Sequence, residues 1–490
     1  MRLLSESFTA RVNGVFYLLL ILVILQLAVA LLTYGSALYV DEAVWHYIGR
    51  NWFRHGLVPY RGGYDNKTPL IFLIYGISDR LFGVNYWFPR VVGTLVQSVG
   101  IWYLYRIALH LGGRRTGILA VSMYGLSVLW QSTNGRFPSM TETYEVTCVI
   151  ISVDFFLKAK QGKDYFIAGL LAGLGFAFRF TAVGAILPLL LFSLGRGWRY
   201  TLYLGAGLMT CLGVLAGAAW LAGIDLGAFW SFTFADNFKP GSILNRDPTR
   251  FIELFMKGFF HSELILFYPT LVAWFLIKKR IDLLGAWLLG GCLCIGALGV
   301  FAEAHFKDIL PPLSLIGALT IGQLLDRYGL SFRKTLAGIW ICFFPKSAEP
   351  ILCIRNMLLP AVVTSHSCRP PYSPLDNDSR KQLGLWIKAN TGIHDKVYVA
   401  NYAPAILVYT ERLCPSIYFI TTETEKAKKT FYREMTENKP DLVAVPLCAD
   451  YNTNVSAEQR TFIQDLVSSS DYRADTCLYN HMIYRINKRR

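Results

Sequence analysis

Two adjacent carboxylates, Asp41-Glu42, stand just beyond residues 14–35, a run without a single charge. Arg50 follows, and then the stretch Asp65-Asn66-Lys67-Thr68-Pro69-Leu70. A positioned carboxylate can take a proton from an attacking group, and a fixed lysine or arginine can hold a departing phosphate. About 22 apolar residues are enough to cross a bilayer. The set therefore sits at the mouth of a membrane span, where uncompensated charge is costly. It predicts a site that grips a charged substrate at the membrane surface. Plainer readings exist for each part: an ordinary polar helix boundary for Asp41-Glu42, and snorkelling toward headgroups for Arg50 and Lys67. The combination favours a site.

Further charged residues fall at the same ends of later apolar runs. Arg136-Phe137-Pro138-Ser139-Met140-Thr141-Glu142 leads into one of them, with Glu145 a turn beyond. A carboxylate at that depth needs a partner or a function; for Glu142 either pairing with a nearby arginine or a role in chemistry fits. Arg179, Asp236-Asn237-Phe238-Lys239 and Glu303-Ala304-His305-Phe306-Lys307-Asp308 extend the pattern. Basic residues gathered there are what a phosphate-bearing lipid needs. His305 between Ala304 and Phe306 also fits an interfacial packing residue. There is no zinc spacing. Asp41, Glu42 and His305 are the residues that could hold a divalent cation, on weak grounds, since two adjacent carboxylates are a sparse ligand set; no cofactor is certain.

The elements that must position these residues are membrane helices. The chain has 490 residues, 53% of them hydrophobic, with mean hydropathy +0.37, which points to a polytopic α-helical membrane protein. About eleven apolar spans are expected near 14–35, 86–109, 115–132, 140–157, 164–178, 180–195, 199–222, 259–277, 282–301, 309–325 and 335–364. The first is too long for a signal peptide and lacks a small-residue cleavage site. With the N-terminus in the cytoplasm, Arg114-Arg115, Lys158/Lys160/Lys163, Arg196/Arg199, Lys278-Lys279-Arg280 and Arg327/Arg333/Lys334 fall on inside loops, as the positive-inside rule requires. The net charge of +15 thus reflects orientation rather than nucleic-acid binding, for which no basic patch with interleaved aromatics appears. Loops 36–85 and 223–258 then lie outside, with Glu42–Arg54 and Pro69–Phe82 as interfacial helices on the outer face.

Two domains are expected: a transmembrane domain over 1–365 and an extracytoplasmic soluble domain over 366–490. The second alternates helix-like Lys381–Asn390, strand-like 396–400, an apolar segment Pro404–Tyr409, strand-like Ile417–Ile420, a charged helix Glu423–Asn438 and apolar Leu442–Val445. This is the pattern of a small α/β domain. No Cys-x-x-Cys pair occurs among the ten cysteines; Cys368, Cys414, Cys448 and Cys477 of the tail could form two disulfides or stay free. Three Asn-x-Ser/Thr sites, at Asn66, Asn377 and Asn454, matter only in a glycosylating compartment.

In this order, these residues resemble the GT-C membrane glycosyltransferases that use polyprenyl-phosphate sugars, in the branch of protein O-mannosyltransferases and the lipid A aminoarabinose transferase. Asp41-Glu42, Tyr47–Arg50, Asp65–Leu70, Phe82-Gly83-Val84-Asn85 with Arg90, Met140-Thr141-Glu142 and His305–Leu313 carry the likeness over about 1–330. The inserted Asn66, Thr68 in place of a usual proline, and Phe306 in place of tyrosine depart from the family pattern. The resemblance implies a transfer from a polyprenyl-phosphate-linked sugar to a protein, lipid or glycan acceptor at the extracytoplasmic face, inverting at the anomeric carbon. It implies Asp41 as general base, with Glu42 beside it. Lys67 and Arg50 would hold the lipid phosphate, and Glu142 would orient Lys67 or contact sugar or acceptor. Arg136, His305 and Lys307 would be secondary contacts. A bacterial inner membrane is the preferred location. The competing reading is a transporter or flippase for a lipid-linked saccharide, which should carry midplane charges and internal repeats; a non-catalytic scaffold of the same fold would tolerate loss of Asp41.

Overall fold

A computed structural model describes residues 2–32, 38–235, 248–278, 281–358, 379–400, 404–420, 424–447 and 456–487. In chain order its α-helices are α1 (Arg2–Leu32), α2 (Val40–His55), α3 (Pro69–Phe82), α4 (Trp87–Ser127), α5 (Thr141–Lys158), α6 (Gly162–Phe178), α7 (Val183–Arg196), α8 (Trp198–Leu221), α9 (Leu226–Thr233), α10 (Pro248–Phe260), α11 (Tyr268–Lys278), α12 (Leu283–Leu298), α13 (Leu310–Tyr328) and α14 (Phe332–Leu358). The tail adds α15 (Ser379–Ala389), β1 (Val397–Val399), α16 (Pro404–Thr410), α17 (Glu425–Glu437), β2 (Leu442–Pro446), α18 (Ala457–Ser468), β3 (Tyr472–Leu478) and β4 (His481–Ile486). The chain forms two compact units. One holds 1–33, 89–218 and 246–364; the other holds 34–88, 219–245 and 365–490.

The first unit is a helical bundle. Its core gathers Leu104, Ile107, Leu119, Leu126, Ile150, Phe156, Leu310 and Leu315, all fully or almost fully buried. Among the described residues, three helices are long and apolar enough to cross a membrane: Gly14–Leu31, Trp198–Leu221 and Glu303–Tyr328. A fourth arises if Pro248–Phe260 and Glu263–Lys278, bent by 51°, count as one span. Expected spans 86–109 and 115–132 fall on α4, which breaks at Gly113, and those at 180–195 and 282–301 on shorter apolar helices.

The second unit combines the loop segments with the tail. α2 and α3 meet where Gly49 faces Gly76: a Cβ on Gly49 would come within 2.5 Å of the Gly76 nitrogen, so only hydrogen fits at this crossing. Every residue from Glu42 to Asn51 is buried. α2 is therefore not the interfacial helix expected over Glu42–Arg54, with one face in the headgroups. Its faces are covered by α3 and by α16 of the tail, partners that no local pattern reveals. An aromatic cluster holds the segments together. Tyr64 packs at 5.0 Å on both Phe232 and Tyr418, Tyr60 lies 5.9 Å from Phe232, and Tyr47 lies 4.3 Å from Phe419.

The tail is α/β, with one four-stranded sheet in the order β1-β2-β4-β3. β1 and β2 run parallel and the other pairs antiparallel. Ile417–Ile420 is not a strand, contrary to its composition. It bends, and the Ile417 carbonyl accepts from the Tyr64 N–H at 2.8 Å. The β3–β4 hairpin turns on Tyr479 and Asn480, both at positive φ, the geometry of a two-residue primed turn. Cys414 and Cys477 are free thiols. Cys368, Cys448, Asp236–Lys239 and the sites at Asn377 and Asn454 lie outside the described residues or extend into them.

Candidate active site

Among the described residues, the sequence-predicted site residues gather in two constellations, one in each unit. In the loop-and-tail unit, α2 begins at Val40, so Asp41 and Glu42 occupy its first turn. Carboxylates there face the positive end of the helix dipole. Glu42 is committed to the helix itself: its Oε2 accepts from the Tyr39 N–H at 3.0 Å. Asp41 is half-buried. One turn along, Trp45 lies on the same helix face as Asp41. Its indole Nε1–H donates to Asp65 Oδ2 at 2.8 Å. Asp65 Oδ1 accepts from the Asn66 N–H at 2.7 Å, Lys67 Nζ donates to Asn66 Oδ1 at 3.0 Å, and the Tyr60 hydroxyl donates to the Lys67 carbonyl at 2.7 Å. The loop is thus fixed through its backbone and its first carboxylate, while the half-buried Lys67 ammonium keeps, among the described residues, a single neutral acceptor. Burial pushes the Asp65 pKa up, opposed by the Lys67 charge and by the Asn66 and Trp45 hydrogen bonds.

Arg50 behaves differently from its sequence expectation. It is buried, and it donates to Asp79 Oδ2 through Nε at 3.0 Å and Nη2 at 2.7 Å, and to the Val408 carbonyl through Nη1 at 2.6 Å. Arg54 donates to the other Asp79 oxygen, and His46 Nδ1 lies 3.3 Å from Oδ2. Burial alone would raise the Asp79 pKa; the Arg50 charge and hydrogen bonds outweigh it and hold it below the usual carboxylate range. Burial, reinforced by Arg50, lowers His46 to about 4, so the imidazole is neutral at neutral pH. Arg50 binds helix to helix and helix to tail, with its guanidinium already occupied. The sequence signal for Asp79 was available: the one carboxylate in the mainly apolar helix Pro69–Phe82 requires a partner.

In the bundle, Arg179 caps the C-terminal end of α6 in an extended conformation. Its Nη1 lies 3.1 Å from Glu142 Oε1, 3.5 Å from Asp308 Oδ2 and 3.9 Å from Glu145 Oε2. Thr141 donates to Glu142 at 3.0 Å, and Thr181 to Glu145 at 3.0 Å. Lys307 Nζ donates to the Phe137 carbonyl at 3.1 Å and to Thr143 Oγ1 at 3.2 Å, within electrostatic reach of Glu142 and Asp308. Three buried carboxylates thus surround one guanidinium. Among the described residues no three His, Cys, Asp or Glu side chains converge on a metal position. Arg136 and His305 are half-buried, and Arg136 interacts electrostatically with Glu303. The structure brings Glu142 and Lys307 into one network, which includes Asp308, a residue the sequence motif contained but gave no role.

The chain has the GT-C fold. Residues 66–221 match the family profile described as dolichyl-phosphate-mannose-protein mannosyltransferase. The chain is similar to ArnT from Cupriavidus metallidurans bound to undecaprenyl phosphate, with TM-score 0.63 at 13% identity over 96% of this chain and 98% of that one. The apo form of the same enzyme gives 0.61 at 14% identity, over 97% and 98%. The archaeal oligosaccharyltransferase AglB from Archaeoglobus fulgidus, in complex with an inhibitory peptide and a dolichol-phosphate, gives 0.51 at 11% identity, over 88% of this chain and 69% of that one. No curated protein sequence matches. The expected likeness to polyprenyl-phosphate-dependent GT-C glycosyltransferases is borne out.

Proposed function

We propose that the protein is an inverting glycosyltransferase that moves a sugar from a polyprenyl-phosphate donor to an acceptor hydroxyl at the extracytoplasmic membrane face. Asp41 takes the proton of that hydroxyl as its oxygen attacks the anomeric carbon. The bond from that carbon to the phosphate oxygen breaks, and the polyprenyl phosphate leaves with the electron pair, held by Lys67. General-base help of this kind contributes about 10²–10⁴ in rate, and a fixed cation on the leaving phosphate lowers the barrier further. The observation that carries this reading is the Trp45–Asp65 hydrogen bond. It fastens the loop bearing Lys67 to the helix face that bears Asp41.

Arg50, spent on Asp79, is a positioning residue in this reading rather than a phosphate ligand. Glu142 and Lys307 act within the Arg179 network, which fixes the segments around Phe137 and Asp308. Arg136 and His305 remain secondary candidates for contact with a phosphate. About eleven crossings, a cytoplasmic N-terminus, and a division into 1–365 in the membrane and 366–490 outside it complete the proposal. A bacterial inner membrane is the preferred setting.

The test is sugar transfer in liposomes supplied with polyprenyl-phosphate sugars. Wild type should transfer, and Lys67→Ala should show donor affinity at least about tenfold weaker, the size of one lost charge-assisted contact. Absence of transfer with every donor, or unchanged donor affinity in Lys67→Ala, would contradict the reading.

A further inference from the structure

The bundle carries a second polar constellation, about 24 Å along α13 from its start at Leu310 to Asp326. A cavity of about 280 Å³ opens between the break in α4 and the C-terminal end of α13. It is lined by Gly112, Arg114, Arg115, Thr116, Gly322 and Asp326, together with Leu325. Gly113 stands at φ 77° and ψ −175°, a conformation that side-chain-bearing residues avoid, so the helix stops and restarts at Arg114. Two glycines let α4 and α13 pack closely beside it. A Cβ on Gly112 would lie 2.6 Å from Thr116 Oγ1 and 2.9 Å from Leu319, and one on Gly322 would lie 3.0 Å from Thr116 Oγ1. Thr116 Oγ1 turns inward to donate to the Gly112 carbonyl at 2.8 Å, leaving the arginines as the polar wall.

Arg115 and Asp326 are 3.8 Å apart with side chains 67% and 79% exposed. A long, solvated ion pair of this kind contributes little and yields easily to a stronger anion. Two guanidiniums present a fork of donors suited to phosphate oxygens. The restarted helix adds its positive end on the same wall. Basic pockets between helices at the cytoplasmic ends of membrane bundles suit phosphorylated headgroups, and Arg327 follows Asp326 in the last turn of α13. Nothing in the proposed transfer uses these residues.

We propose that the cavity at the α4 break binds a phosphate group through Arg114 and Arg115, either on a lipid headgroup or as the free anion. Asp326 is the internal competitor that the phosphate displaces.

The experiment uses the full chain in phosphatidylcholine nanodiscs and follows its thermal unfolding midpoint. Phosphatidic acid, phosphatidylglycerol and inorganic phosphate are titrated in separate arms. A saturable rise is expected in at least one arm. A rise with lipid alone identifies a headgroup site, and a rise with inorganic phosphate as well shows that the phosphate group suffices. Arg114→Gln combined with Arg115→Gln should weaken the response at least about tenfold, while Asp326→Asn should move it to lower ligand concentration. No saturable rise in any arm, or equal responses in wild type and the double variant, would overturn the proposal. Should the double variant not fold, an unchanged response in Asp326→Asn overturns it instead.

Discussion

The Trp45 indole donates to the Asp65 carboxylate at 2.8 Å across 20 residues of sequence. Trp45 lies one helical turn from Asp41, and Asp65 two residues before Lys67. The proposed base and the proposed phosphate-binding cation, 26 positions apart by residue number, are thereby tied to one scaffold. Trp45→Phe keeps the ring and removes the donor, leaving a carboxylate oxygen without it. The expected result is donor affinity weaker by up to about tenfold, with a smaller loss in Asp65→Asn, which retains an oxygen acceptor. Lipid-competition binding checks both.

Arg50 should report on stability rather than on donor recognition. Arg50→Ala strips the buried Asp79 of its two-pronged guanidinium contact and the Val408 carbonyl of its donor. Breaking a buried pair typically costs about 3–5 kcal/mol; Arg54 remains on Asp79, so the lower end is expected. Denaturant unfolding in detergent measures the loss. Arg50→Lys should recover only part of it, because lysine cannot reproduce the two-pronged contact.

Arg179→Leu should be the most damaging single change in the bundle. It leaves Glu142, Glu145 and Asp308 buried around an apolar side chain. A loss of about 3–5 kcal/mol or failure to accumulate is expected, measured by unfolding and by membrane yield. Arg179→Lys should fold better while remaining less stable than wild type.

Much of this was readable in advance. The apolar runs, the tail's α/β character and the carboxylates at run ends all follow from composition and periodicity. The network partners were not readable, because pairing across 129 residues, as between Arg179 and Asp308, leaves no trace in local pattern. The same limit explains α2. Its Trp45 and Trp52 suggest a headgroup-facing stripe, yet Trp45 is buried and serves as a hydrogen-bond donor. Ile417–Ile420 has strand composition, but its Tyr418 and Phe419 side chains serve the aromatic cluster instead. The β3–β4 hairpin has no local signal, because its turn is Tyr-Asn rather than the usual Asn-Gly.

Acid should weaken the loop-and-tail unit through His46. Its folded pKa of about 4 lies below the ordinary 6.5, so the unfolded chain binds the extra proton between those values. Stability is full above about 6.5 and falls as the pH drops toward 4, by about 3 kcal/mol at most. Asp79, with its depressed pKa, acts in the same direction below the ordinary carboxylate range. Asp65, with its raised pKa, acts oppositely just above 3.8. Comparing the pH dependence of unfolding in wild type and His46→Gln isolates the histidine: the variant should show a flatter profile between pH 6.5 and 4.

The most direct measurement is single-turnover sugar transfer by Asp41→Asn in liposomes, paired with donor affinity in the same preparation. The account predicts donor binding within about twofold of wild type and transfer slowed by about 10²–10⁴. Transfer at the wild-type rate with donor binding intact would contradict it.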